Sequence, residues 1–164
     1  MGSLQQTSAM QATPAPAPTV SRFCYRIGAN LILMEPEILA EILTAATVYP
    51  VPFTPDWCAG LISLRGELYP VIDMHRVVLG QPMPDNCQLL FFQHPQFPPV
   101  VLSCDGYPRH LKLSREDLTE HNNETLPGWI PHILYHDSQT LLAADHGRLL
   151  RHIQRNMTRN PDPT

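Results

Sequence analysis

Lysine is almost absent from this 164-residue chain: Lys112 is the single example, and eleven Lys and Arg against fifteen Asp and Glu leave a formal charge of −4. A nucleic-acid binder needs a basic footprint, and a single-strand binder also needs aromatics interleaved with basic residues. Neither is present. No apolar run approaches the roughly 20 residues a membrane-spanning helix requires. No signal-peptide pattern opens the chain, so the expected location is cytoplasmic, without membrane insertion. Four cysteines (Cys24, Cys58, Cys87, Cys104) lie far apart with no Cys-x-x-Cys, which argues against a disulfide framework and suits a reducing compartment. Phosphate-binding glycine loops of either kind are missing. Ser63, in Leu-Ile-Ser-Leu-Arg-Gly, is not on a nucleophile elbow, and Cys104 ends an apolar run, where a thiol is inert.

Histidine is the exception to this poverty: His75, His94, His110, His121, His132, His136, His146 and His152. His132 and His136 fall on an expected strand, where four residues span about 13 Å, too far for one zinc. Surface and turn positions account for the histidines. No catalytic residue, metal site or cofactor is expected.

What the chain does have is punctuation. Eighteen Pro and eight Gly favour short strands and turns over long helices, and the length suffices to bury a core. Residues 1–21 form an aperiodic leader with the alternation Pro14-Ala15-Pro16-Ala17-Pro18, expected to be disordered. Folding is expected from Arg22. Phe23–Ile27 and Leu31–Met34 flank Gly28-Ala29-Asn30 as a hairpin. Ile38, Leu39, Ile42 and Leu43 repeat at helical spacing after Glu35-Pro36-Glu37, predicting a short helix that passes into a strand near Ile42–Ala46. Met74–Leu79 reads as helical turns closed by Gly80, and Pro82 and Pro84 as a crossing between two halves. Strands follow at Cys87–Phe92 and Val100–Cys104, the latter ended by an Asp105-Gly106 turn. Arg109–Leu113 continues extended. A last hairpin covers Trp129–Ala144, and Asp145 caps a helix from His146 to about Gln154. Residues 154–164 fray. Arg148, Arg151, Arg155 and Arg159 share one face of that helix, most simply a solvated face.

One stretch organises the rest. From Val48 to Asp73, Pro50, Pro52 and Pro55 stiffen an arm, and two apolar runs about Arg65-Gly66-Glu67 read as a hairpin. The pattern Val-x-x-Val-Pro-x-x-Pro-x-Trp-x-x-Gly-Leu-x-x-Leu-Arg-Gly-x-x-x-Pro-Val-Ile-Asp resembles the signature of CheW-like domains, adaptors that couple chemoreceptors to the histidine kinase CheA. The resemblance covers residues 22–153. It implies an all-β fold of two small SH3-like, five-stranded barrel lobes with short helices and a C-terminal helix. It further implies a non-catalytic scaffold, with the regulatory domain of a CheA-type kinase and the cytoplasmic tip of a chemoreceptor as partners, recruited to membrane-associated arrays.

Two groups of residues are singled out on that basis. Val48, Tyr49, Val51 and Phe53 are expected to contact the kinase, with Tyr49, Val51 and Phe53 pointing one way from an extended arm. Glu41 and Arg65 are expected to form a partly buried ion pair; the other reading of Arg65 is an exposed hairpin tip. Ser63 replaces the family's usual Asn, Pro50 its basic residue, and Tyr107-Pro108 the small apolar residues after Asp-Gly. These departures suggest a divergent chemosensory branch, plausibly one serving type IV pili. The alternatives are a small-ligand-binding regulator and, more remotely, a nucleic-acid-binding barrel protein.

Overall fold

The computed structural model describes residues 18–118, 121–122 and 125–158. A hairpin opens it: β1 (Thr19–Ile27) and β2 (Asn30–Leu33) turn about Gly28 at φ 61°. After a turn come β3 (Leu39–Leu43), the proline-rich arm, and the hairpin of β4 (Cys58–Leu64) and β5 (Glu67–Ile72). Arg65 and Gly66 both take positive φ at its tip, the two-residue geometry that matches strand twist. Helix α1 (Met74–Leu79) follows, capped by the Asp73 carboxylate on the Arg76 N–H and closed by Gly80 in the left-handed region. Then come β6 (Gln88–Gln93), β7 (Val100–Ser114), β8 (His121–Asn122), β9 (His132–His136), β10 (Gln139–Ala143) and α2 (His146–Thr158), with Asp145 accepting the Arg148 N–H at 3.0 Å.

The strands make two lobes. In the first, β8, β9, β10, β2, β1 and the second half of β7 are neighbours in that order, with β10 parallel to β2. In the second, β3, β6, the first half of β7, β5 and β4 are neighbours, with β5 parallel to β7. Among the described residues the ladders do not draw the expected closure of either lobe into a barrel. Between β4 and the chain after β3 there is only the isolated bridge of Tyr49 with Leu61.

Four expectations need correction. No helix forms at Glu35–Leu43. Ile38 N–H closes a turn on Glu35 O, and Leu39–Leu43 pairs with Leu89–Gln93 along its whole length, so an available ladder overrides a helical spacing of apolar residues. Asp105-Gly106 does not end a strand. β7 runs through it with a register shift opposite Cys24–Arg26, and Gly106 takes φ 67°, because residues 105–114 have β1 to pair with. The Pro82–Pro84 segment is not a crossing, since β5 and β6 both pair with the first half of β7. The chain passes between lobes elsewhere, at residues 34–38 and inside β7. Finally, β1 begins at Thr19, inside the expected leader, because Thr19, Val20 and Ser21 pair with Ser114, Leu113 and Lys112. At the other end α2 continues to Thr158. The leader's residues 1–17 and the tail's 159–164 lie outside the described residues.

Alternation along the central strands distributes three cores. Leu31 and Leu33 of β2 face a core inside the first lobe, with Leu113, Leu134 and Leu141. Leu89 and Phe91 of β6 face one inside the second, with Ile62, Val71 and Val101. Their neighbours Ile32, Leu90 and Phe92 point the other way, into a shared core between the lobes that α2 completes with Leu149, Leu150 and Ile153. The period-2 rule therefore fills both faces of each strand.

Candidate functional site

The arm is anchored at one end and free at the other. Val48 packs against the second lobe's core, and Tyr49 exchanges backbone hydrogen bonds with Leu61 at 2.8 and 2.9 Å. A glycine is obligatory beneath it: a Cβ on Gly60, at φ 143°, would fall 2.2 Å from the Tyr49 carbonyl oxygen. Beyond Val51 the chain turns. Pro52 is followed by Phe53 at φ 63°, and the Thr54 hydroxyl donates to Val51 O at 3.0 Å. Proline followed by a positive φ is the signature of a type II turn. The expected extended presentation therefore breaks at Phe53, and the three side chains do not share a strand face. Phe53 stands 95% exposed and Tyr49 59% exposed. A bulky residue in the left-handed region costs about 1 kcal/mol or more, and no burial offsets it here.

Arg65 and Glu41 do meet, at 3.7 Å, but both are mostly in solvent. The expectation of partial burial fails because Arg65 sits at a two-residue hairpin tip and Glu41 on the open face of β3. Both readings of Arg65 hold at once.

The family resemblance implies a groove partly between the lobes for a receptor tip, but sequence reasoning did not name the residues that line it. It is a cleft of about 320 Å³, with Ile38, Leu39 and Ala40 of the β3 side as one wall and Arg22, Phe23, Pro108 and His110 of β1 and β7 as the other. Phe23 and Leu39 are 54% and 68% exposed, and Phe23 packs on His110 with ring centroids 4.8 Å apart and the planes tilted by 48°. Arg22 is spent on structure, donating twice to Met34 O. Alternation puts Phe23 on the same face of β1 as the buried Tyr25, and Phe23 is exposed because it lies beyond the edge of the shared core that covers Tyr25, which no local sequence signal marks. A second, smaller cleft of about 190 Å³ lies between Trp57, Phe97 and α2 residues Leu150 and Ile153. It is apolar, with Gln154 its one polar side chain.

Two buried polar networks were also unforeseen. His75 bonds Ser103 Oγ through Nδ1 and Asp105 Oδ1 through Nε2, each at 2.8 Å. Ser, His and Asp are the members of a nucleophilic triad, but Ser103 is fully buried and its oxygen already accepts the Met74 N–H. No substrate carbonyl reaches it. Burial alone would push the Asp105 carboxyl up, but the Gly28 N–H, His75 and Arg26 outweigh it and hold the group below its ordinary value. In the second network, His146 receives Tyr25 at Nε2 (2.8 Å) and meets Glu35 Oε1 at Nδ1 (2.6 Å). Burial, then the Glu35 charge and Cys104, push the Tyr25 phenol well above its ordinary value. Tyr25 is therefore an O–H donor to Nε2, and Nδ1–H donates to Glu35. Burial, with Cys87 and Asp105 nearby, pushes the Cys104 thiol up to about 12, so it stays protonated and inert.

The arginine stripe is partly engaged: Arg148 binds the Gly128 carbonyl and Asp145, while Arg151 is exposed. Among the described residues no cluster of three or more His, Cys, Asp or Glu could hold a metal ion, and no helix is long and apolar enough to cross a membrane.

The family model described as CheW-like domain matches residues 23–154. Protein FrzA of Myxococcus xanthus is 37% identical over 54 residues, a stretch that takes in 33% of this chain and 34% of that relative's length. The crystal structure of the scaffolding protein TtCheW from Thermoanaerobacter tengcongensis superposes with a TM-score of 0.62 at 14% identity, over 77% of this chain and 89% of that one. At that identity the likeness speaks for the fold.

Proposed function

The chain belongs to the CheW-like domain family, whose members are non-catalytic scaffolds, and we propose from that membership that it couples chemoreceptors to a CheA-type histidine kinase. The observation that supports the reading is that exposed apolar side chains form two groups, Phe23 with Leu39 at the groove and Tyr49, Val51 and Phe53 on the arm, while Leu68, Tyr107 and Tyr135 are exposed elsewhere. An adaptor needs two such surfaces at once. The groove suits a receptor's helical tip, laid between the lobes as an amphipathic helix lies in an apolar groove. The arm suits the kinase's regulatory domain, with Tyr49, Val51 and Phe53 as contacts and Val48 as their anchor in the lobe.

Signalling through such a scaffold requires contacts whose free energy differs between the kinase-on and kinase-off arrangements. Exchangeable interfaces of about 800 Å² per partner match that need. On this reading the adaptor domain expected at 22–153 takes in Thr19 to Thr158, each lobe is a barrel-like unit, and the working location is a cytoplasmic receptor array. Pro50, Ser63, Tyr107 and Pro108 depart from the usual pattern, and we assign the chain to a divergent branch, with type IV pilus control as the leading candidate. The test is calorimetric titration of the protein with a CheA-type regulatory domain and, separately, with a receptor-tip helical hairpin. Both are expected to bind, independently and at different surfaces. Binding of neither overturns the adaptor reading. Restoration of pilus-driven motility, in a strain deleted for this gene, decides the branch.

A further inference from the structure

The chain crosses between the lobes twice, and at each crossing a carboxylate is gripped by a histidine. At the first, Glu35 follows β2 and precedes β3. Its Oε1 meets His146 Nδ1 at 2.6 Å and its Oε2 accepts the His146 N–H at 3.1 Å. His94, from the loop after β6 in the second lobe, stands 3.9 Å from the same oxygen. At the second crossing, Asp105 lies where β7 changes lobes. Its Oδ2 accepts the Gly28 N–H from the first lobe at 2.7 Å, and its Oδ1 meets His75 of α1 at 2.8 Å. Helix α1 is seated at the same seam, for Leu79 comes within 3.1 Å of where a Gly28 Cβ would be. Each carboxylate thus touches parts of both lobes.

The shared core between the lobes is apolar, and apolar burial is non-directional. It holds the lobes together, and the directional bonds at the two crossings add constraints on their mutual angle. The walls of the groove belong to different lobes, and Glu35 itself lines it. We propose that Glu35, held by His146 and facing His94, and Asp105, held by His75 and bonded to Gly28, are a pair of inter-lobe clasps that act as one conformational lock on the width of the groove. The inference rests on the geometry of the groove and holds whatever partner fills it.

The test reads each clasp from the other. In Glu35→Gln the Gly28 amide, held by the distant Asp105, is expected to exchange with solvent at least about threefold faster; in Asp105→Asn the same applies to the His146 amide. With fluorophenylalanine incorporated, the Phe23 resonance in the groove is expected to move in both variants while that of Phe53, on the arm, stays. Amides of the β4–β5 and β9–β10 ladders, each inside one lobe, should keep their protection. Glu35→Asp and His75→Gln serve as milder variants in the same measurement if a first choice does not fold. A distant amide that is unchanged makes the two clasps independent local contacts and overturns the proposal. Equal acceleration across the within-lobe ladders also overturns it, because the clasps are then ordinary contributors to global stability.

Discussion

Arg65 reaches across the second lobe to Glu41 at 3.7 Å while the two side chains remain 76% and 52% exposed. Solvent-exposed pairs of this kind contribute at most about 1 kcal/mol. Arg65→Ala and Glu41→Ala are therefore each expected to lower stability only slightly. Their coupling in a double-mutant cycle should be under about 1 kcal/mol and should shrink further in high salt. Denaturant melts at two ionic strengths measure it. Coupling of several kcal/mol would show the pair to be shielded in a way the exposure rules out.

Asp105 sets an acid limit on the fold. Its carboxyl is held below its ordinary value of 3.8, so the folded state binds the proton less readily than the unfolded chain. The stabilisation this brings is complete above about pH 4 and is lost as pH falls through the depressed folded value. Asp105→Asn removes the linkage. Between about pH 4 and 2 the variant's melting temperature should fall less steeply than the wild type's. Parallel pH profiles would show that Asp105 titrates normally.

The elements that local rules govern were legible in the sequence. Gly80 closes α1 and Asp145 caps α2, because caps depend on a few adjacent residues. The β4–β5 hairpin and its tip followed from two apolar runs about Arg65-Gly66. What the sequence did not reveal depends on partners distant in the chain. Leu39–Leu43 became a strand because β6, some fifty residues on, was there to pair with it, and Asp105-Gly106 became a bulge because β1 was. The groove joins Phe23 to Leu39 and His110, and the His146–Glu35 bond spans 111 positions. Spacing along the chain carries no record of such meetings. Of the singled-out residues, Glu41 and Arg65 were rightly paired but wrongly buried. In the arm, Pro52 followed by Phe53 made a turn where extension was expected.

Gly60 controls whether the arm can lie where it does. Its substitution by Ala would set a methyl 2.2 Å from the Tyr49 carbonyl, at a φ of 143° that L residues rarely adopt. Gly60→Ala is expected to cost more than about 2 kcal/mol in unfolding free energy. The same change should expose the Tyr49 and Leu61 amides to exchange by breaking their bridge. Gly66→Ala, at φ 83° but with open space around it, supplies the contrast: strain alone, and a smaller loss. Equal losses at the two positions would mean that the close approach of the arm contributes nothing.

Phe53 separates binding from folding more cleanly than any other residue of the arm. Its side chain is 95% exposed, so truncation removes no core contact, and its φ of 63° is one that glycine adopts freely. Phe53→Gly relieves strain in the folded state but frees the unfolded chain, two effects of about 1 kcal/mol or less that oppose each other. Net stability should shift by less than about 1 kcal/mol. An aromatic anchor in a protein interface, by contrast, commonly contributes 2 kcal/mol or more. Affinity for a CheA-type regulatory domain is therefore expected to fall at least about tenfold in Phe53→Gly, and likewise in Val51→Asp, whose side chain lies at the same turn. Val48 packs against the lobe's core, so Val48→Asp should instead destabilise the protein itself. Calorimetric titration beside a denaturant melt tells the outcomes apart. Undiminished affinity in a folded Phe53→Gly protein removes the arm tip from the interface and leaves its strained turn unexplained.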